Sequence, residues 1–213
     1  MTDGGADPWA NRGPKIKMTP EQKAAGIERI LAERPRGEPF RVFAFGSLMW
    51  NPECCVASTF AATVHDHQRR FQIWSTRARG TDDQPGLGLC LVPEPGQACK
   101  GLVLELNEDM LAEDLKRLWD REQNSGVYRP TWITADSIDG PVQVMTFVVI
   151  PEHPHFVPPL PQETMAEIMC KAVGRYGTNH DYLVRLLEIL EALGVEDPDL
   201  ADLDACIRAK AAG

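Results

Sequence analysis

The chain has 213 residues, 43% of them hydrophobic, and a formal net charge of −9 at pH 7. That length and apolar content suit one large domain with a sizeable core. The acidic balance argues against nucleic acid or an anionic membrane as the main partner, and an anionic substrate would need a locally positive pocket.

Residues 1–18 are rich in Gly, Pro and polar residues and lack the apolar centre of a signal peptide. They read as a flexible extension ahead of a single domain over 19–213. No apolar run approaches the roughly 18 residues that span a bilayer. Thr19-Pro20-Glu21-Gln22 opens a helix, with Thr19 as N-cap, Pro20 at the first helical position and Gln22 closing a capping box. Ala24, Ile27 and Leu31 line its apolar face, and Pro35 stops it. Residues 40–45 form a short apolar strand broken by Gly46-Ser47, and 61–75 are extended. A polar loop follows at 79–86, then two strands, 87–92 and 100–106, around the turn Pro93-Glu94-Pro95-Gly96. Asn107 caps a helix running to about 124, with Gly126 placed to end it. Strands at 127–134 and 142–150 join through Asp139-Gly140. A stiff proline-rich connection, 151–161, leads to amphipathic helices at 163–173 and 179–193 and a shorter one at 199–210. Strands, an inserted helix, more strands, then helices imply an α+β fold with a mixed or mostly antiparallel sheet.

Two separated segments carry candidate chemistry. On the helix after Asn107, Leu111, Leu115 and Leu118 form an apolar stripe. Glu122 follows Leu111 by eleven residues, about three turns, and so continues that stripe. Glu113 and Asp114 fall on other faces. Burial and the negative end of the helix dipole both raise a carboxyl pKa there, which suits a general base. The residues alone leave a second reading, an end-of-helix Glu paired with Arg121 or Arg129. The other segment is Phe45-Gly46-Ser47-Leu48. Its glycine permits a sharp turn and close ligand approach, and its successive N–H groups can form an anion nest. Ser47 lacks a G-x-S-x-G elbow and is not taken as a nucleophile. Arg69, Arg70, Arg77 and Arg79 can grip a carboxylate or stand as solvated charges. His65 and His67 pair on one strand, and His153 and His155 share a loop. Neither pair has a third spaced ligand, so no metal site is expected. The six cysteines, Cys54, Cys55, Cys90, Cys99, Cys170 and Cys206, contain no C-x-x-C pair. They read as reduced thiols in a cytoplasmic setting.

Five motifs in chain order carry a family resemblance. The run from Val42 to Pro52, including Phe43-Ala44-Phe45-Gly46-Ser47-Leu48-Met49-Trp50, is the first. Arg69 with Phe71 precedes Arg79-Gly80-Thr81 and Pro85-Gly86. Leu118-Trp119 with Arg121-Glu122 leads to Gly126, Tyr128, Pro130, Thr131 and Trp132, and Gly177-Thr178-Asn179 with Tyr182-Leu183 is the last. Together they resemble the ChaC branch of the γ-glutamylcyclotransferases over roughly 41–193. The resemblance implies a small mixed β-barrel wrapped by helices. It makes Glu122 the catalytic acid/base and Phe45, Gly46, Ser47 and Leu48 the γ-glutamyl-binding loop, with Arg79, Tyr128 and Tyr182 as further substrate contacts. It also implies glutathione as substrate, 5-oxoproline and Cys-Gly as products, and no cofactor. Phe45 departs from the Tyr commonly found there in the family. Two other readings share the scaffold: a cyclotransferase for other γ-glutamyl amines or dipeptides, and a non-catalytic γ-glutamyl-binding protein.

Overall fold

Residues 16–211 are described in the computed structural model. Most of the expected N-terminal extension lies outside them. At its end, the Met18 N–H donates to the Asn124 carbonyl at 2.9 Å. Helix α1, Pro20–Ala32, starts on the expected capping box: Thr19 accepts the Gln22 N–H and Gln22 accepts the Thr19 N–H. Its buried face differs from expectation. Ile30 is the buried residue with Gly26 and Ile27 half-buried, while Ala24 and Leu31 are exposed. A Cβ on Gly26 would come within 2.7 Å of Trp119 Nε1, so the helix turns its glycine, rather than Ala24, onto that indole.

The core of the fold is a closed barrel of β1 (Arg41–Ala44), β2 (Val56–Ser75), β3 (Gly86–Leu106), β4 (Tyr128–Ser137) and β5 (Gly140–Val149), in the order β1-β3-β2-β4-β5. Neighbours are antiparallel except where β5 meets β1 and β3 in parallel, at Val42↔Met145 and Leu91↔Val148. Helix α2, Leu111–Glu122, is inserted between β3 and β4. The two strands expected at 87–92 and 100–106 are halves of one, β3. Both pair with β2, which begins at Val56 rather than near 61. The Pro93-Glu94-Pro95-Gly96 segment does not reverse the chain. The register passes from His65↔Ala98 to His67↔Pro93, so 94–97 bulge opposite Asp66, whose φ is 55°. Asp66 Oδ1 accepts the Gly96 N–H at 2.8 Å. Turn residues satisfy a bulge as well as a hairpin, and the long partner strand decides between them.

The C-terminal part is α3 (Gln162–Lys171), the short β6 (Val173–Gly174) and β7 (Gly177–Thr178), α4 (Asn179–Ala192) and α5 (Pro198–Ala211). Their apolar faces, with Ile168, Met169, Leu186, Leu190 and Leu203, join barrel residues Phe71, Leu87 and Leu89 in one buried cluster. Among the described residues no helix is long and apolar enough to cross a membrane.

Asn179 joins the two halves. It is fully buried, its Oδ1 accepts the Leu87 N–H at 2.6 Å, and its Nδ2 donates to the Leu87 carbonyl at 2.9 Å. One amide side chain thus acts as a strand of a single residue on the edge of β3. A Cβ on Gly86 would meet Asn179 Oδ1 at 2.5 Å and the Arg79 carbonyl at 2.2 Å, so this junction has no room for a side chain. Asn179→Ala leaves two buried backbone groups unpaired and costs about 3 kcal/mol. Calorimetry of that variant is expected to give a Tm lowered by about 10 °C. A Tm within ~2 °C of the parent would remove Asn179 from this role.

Candidate active site

Helix α2 buries Leu115, Leu118 and Trp119, and its stripe ends at Glu122 as the spacing requires. Asp114, placed by its spacing on a face other than the leucine stripe, is also fully buried. Its Oδ2 accepts the Cys55 N–H at 2.8 Å, and its Oδ1 pairs with Arg117 at 3.0 Å. The helix edge beside Leu115 faces the 51–55 segment, which offers the carboxylate a backbone donor.

Strand β1 ends at Ala44, and the chain turns through Phe45 and Gly46 into a 3₁₀ turn, Ser47–Met49. The Met49 N–H bonds to the Gly46 carbonyl at 2.8 Å, and the Asn51 N–H to Ser47 at 3.0 Å. Arg69 holds the start of this loop. It is 5% exposed, its Nη1 donates to the Phe45 carbonyl at 2.9 Å, and it also donates to the Lys100 carbonyl, with Asp197 nearby. It is therefore neither a solvated charge nor a free carboxylate grip.

The loop and the helix end meet in a cleft of about 330 Å³, mouth included. Phe45, Gly46, Ser47 and Leu48 form one wall, and Glu122, Tyr128 and Tyr182 face it, with Leu89 and Phe147 completing the enclosure. The Glu122 side chain keeps 19% exposure. Burial pushes its carboxyl above the ordinary carboxylate value, while the adjacent Arg121 guanidinium, 3.2 Å away, pulls it back. The two readings of Glu122 thus coincide: it lines the cleft and is paired with Arg121.

The two phenols differ in their bonding. The Tyr128 hydroxyl donates to the Leu89 carbonyl at 3.0 Å, and the Tyr182 hydroxyl accepts the Ser47 N–H at 3.2 Å. Burial and the charge of Glu122 push both upward, Tyr182 to about 12. Both are therefore protonated at neutral pH. Arg79 is not among the lining residues. Its guanidinium stacks 5.1 Å over the Tyr182 ring and donates to the Tyr176 and Thr178 carbonyls at 2.6 and 3.2 Å. It braces Tyr182.

Leu89, Phe147 and Arg121 were not singled out as site residues from sequence. The first two are ordinary strand apolar residues, and only barrel closure brings them to the cleft. A larger, open hollow lies beside Leu31, Arg34 and Glu108. Of its two carboxylates, Glu38 and Glu108, the latter is held below the ordinary value by hydrogen bonds from Arg34.

The family model described as ChaC-like protein matches residues 40–210. The chain is 37% identical over 184 residues to the glutathione-specific gamma-glutamylcyclotransferase of Escherichia coli, covering 86% of this chain and 79% of that one. It is 29% identical over 175 residues to the human glutathione-specific gamma-glutamylcyclotransferase 1, covering 79% of each. The fold is similar to that of a crystallised yeast gamma-glutamyl cyclotransferase specific to glutathione, with a TM-score of 0.74 at 19% identity over 81% of this chain and 97% of that one.

Proposed function

We propose, because this chain belongs to the ChaC-like protein family, that it is a γ-glutamylcyclotransferase converting glutathione to 5-oxoproline and Cys-Gly. The observation that carries the reading is the meeting of Glu122, a carboxyl pushed upward by burial, with the Phe45–Leu48 loop in one small cleft.

The substrate's α-amine attacks its own γ-carbonyl carbon. A C–N bond forms, the bond to the cysteinyl nitrogen breaks, and a five-membered lactam results. Nucleophile and electrophile already share one molecule, which removes much of the entropic barrier. Glu122 accepts a proton from the attacking amine and returns one to the departing nitrogen, so the enzyme's proton count is unchanged over the cycle. The loop N–H groups meet an anion of the substrate, either the α-carboxylate or the developing oxyanion. An oxyanion donor is typically worth about 3 kcal/mol. No covalent enzyme intermediate is needed, which agrees with Ser47 Oγ being engaged by Arg121 at 2.9 Å. The cycle calls for no cofactor. The acidic charge and the cysteine pattern support a small-molecule partner and a cytoplasmic setting.

A second reading, a cyclotransferase for other γ-glutamyl amines, is favoured by one observation: the cation expected to meet substrate, Arg79, is occupied by backbone carbonyls and the Tyr182 ring. Incubating the purified protein with glutathione and, separately, with γ-glutamyl-alanine, and measuring 5-oxoproline, decides between them. Release from glutathione alone is the expected result. Release from γ-glutamyl-alanine at equal or higher kcat/KM supports the second reading, and binding of either without any release makes the protein a non-catalytic binder.

A further inference from the structure

Arg121 bonds to both halves of the cleft. Its Nη2 donates to Ser47 Oγ at 2.9 Å, its Nη1 donates to the Asn51 carbonyl at 2.6 Å, and its Nε lies 3.2 Å from Glu122 Oε1. Glu53 approaches the same guanidinium at 3.4 Å. The side chain is 21% exposed, so these contacts are largely sheltered from water. The planar fork serves a hydroxyl, a carbonyl and a carboxylate from three separate nitrogens in fixed geometry, whereas an ammonium presents its three donors from one nitrogen on a flexible stem.

We propose that Arg121 is a positioning residue that locks the Ser47 loop and the Glu122 carboxylate into one geometry, so that the group meeting the substrate's anion and the group moving its proton stand in fixed register. The inference rests on the cyclotransferase reading above and adds a role for a side chain that does not itself line the cleft. Ser47 is bonded from both sides, its N–H to Tyr182 and its Oγ from Arg121. Loss of the guanidinium therefore frees the loop on the side facing the acid/base.

The charge on Arg121 has a separable consequence. The groups acting on Glu122 are Arg121 from its own helix, Glu53 from the 51–55 segment, Tyr128 from β4 and Tyr182 from α4. At neutral pH Arg121 is the one cation among them. A base must be ionised to accept a proton, so kcat/KM falls below the Glu122 pKa, and removing the cation moves that acidic limb to higher pH.

The test is the pH profile of 5-oxoproline release from glutathione by the parent, Arg121→Gln, Arg121→Lys and Glu53→Gln. Arg121→Gln is expected to lower kcat/KM by about 30-fold at neutral pH and to raise the acidic limb by about one pH unit. Arg121→Lys restores the limb, because the charge returns, but not the rate, because the fork does not. Glu53→Gln alters an exposed side chain, leaves the fold intact and moves the limb the other way. Circular dichroism and Tm on each variant separate unfolding from loss of register. A parent that releases no 5-oxoproline overturns the functional reading itself. An active parent whose Arg121→Gln variant is folded, keeps its limb and stays within about twofold in kcat/KM overturns the role of Arg121 alone.

Discussion

Glu122→Gln is expected to lower 5-oxoproline release from glutathione by at least about 10³-fold, the scale at which a positioned acid/base contributes. The amide keeps the shape and volume of the side chain, so far-ultraviolet circular dichroism stays unchanged. It cannot accept the amine's proton, and attack then has to proceed from a nitrogen that retains it. Stability moves in the opposite direction from activity. A carboxyl whose pKa is raised by folding costs stability as pH climbs from the unfolded-state value through the folded one, and Glu122 is raised. Replacing it by a neutral amide removes that cost, so Tm measured at pH 7 is expected to rise. Glu113→Gln, on the exposed side of the same helix, is expected to change neither quantity. Substantial turnover by the Glu122 variant would exclude the proposed base.

Gly46→Ala is expected to lower kcat/KM by about 100-fold, through geometry rather than chemistry. A Cβ at this position would stand 2.7 Å from the Tyr182 hydroxyl and 3.0 Å from Leu89 Cδ2. The tyrosine cannot yield easily. Its ring lies 5.4 Å from Trp50 and 5.9 Å from Phe71, with the Arg79 guanidinium 5.1 Å over it. The added methyl therefore drives the hydroxyl off the Ser47 N–H or pushes the loop out of its turn, and in both cases the walls of the cleft part. Steady-state kinetics with glutathione checks this, together with a Tm to establish that the variant is folded. A variant within about threefold of the parent would mean that the loop has slack which the contacts do not reveal.

The two predictions draw on different kinds of information, and so does the fold. Local signals were legible from residues alone wherever both partners of an interaction lie within a turn or two. The capping box at Thr19 and Gln22 was one, and the helix from Asn107 with its leucine stripe was another. Gly140, with φ at 113°, opens β5 opposite Ser137 and closes the hairpin that the Asp139-Gly140 pair foretold. The place of Glu122 at the end of the buried stripe was legible the same way, because a period of 3.6 residues carries a stripe forward along one helix without reference to the rest of the chain. The motif order in turn pointed to the family, and with it to the barrel.

What the residues could not disclose depends on partners far away in the chain. Pro93-Glu94-Pro95-Gly96 has the composition of a reversal and became a bulge, because β2 is long enough to pair with β3 on both sides of it. Asp114 lies off the leucine stripe and is buried all the same, where its carboxylate accepts the Cys55 N–H from another segment. The bonds of Arg79 to the carbonyls of 176 and 178, and its stacking on Tyr182, likewise follow only from the folded chain. A single chain specifies its periodicities, caps and turns locally, since those are matters of neighbouring backbone geometry. The direction of a charged side chain and the closure of a barrel are set by which distant groups are left needing a hydrogen bond, and that is decided only when the strands have paired.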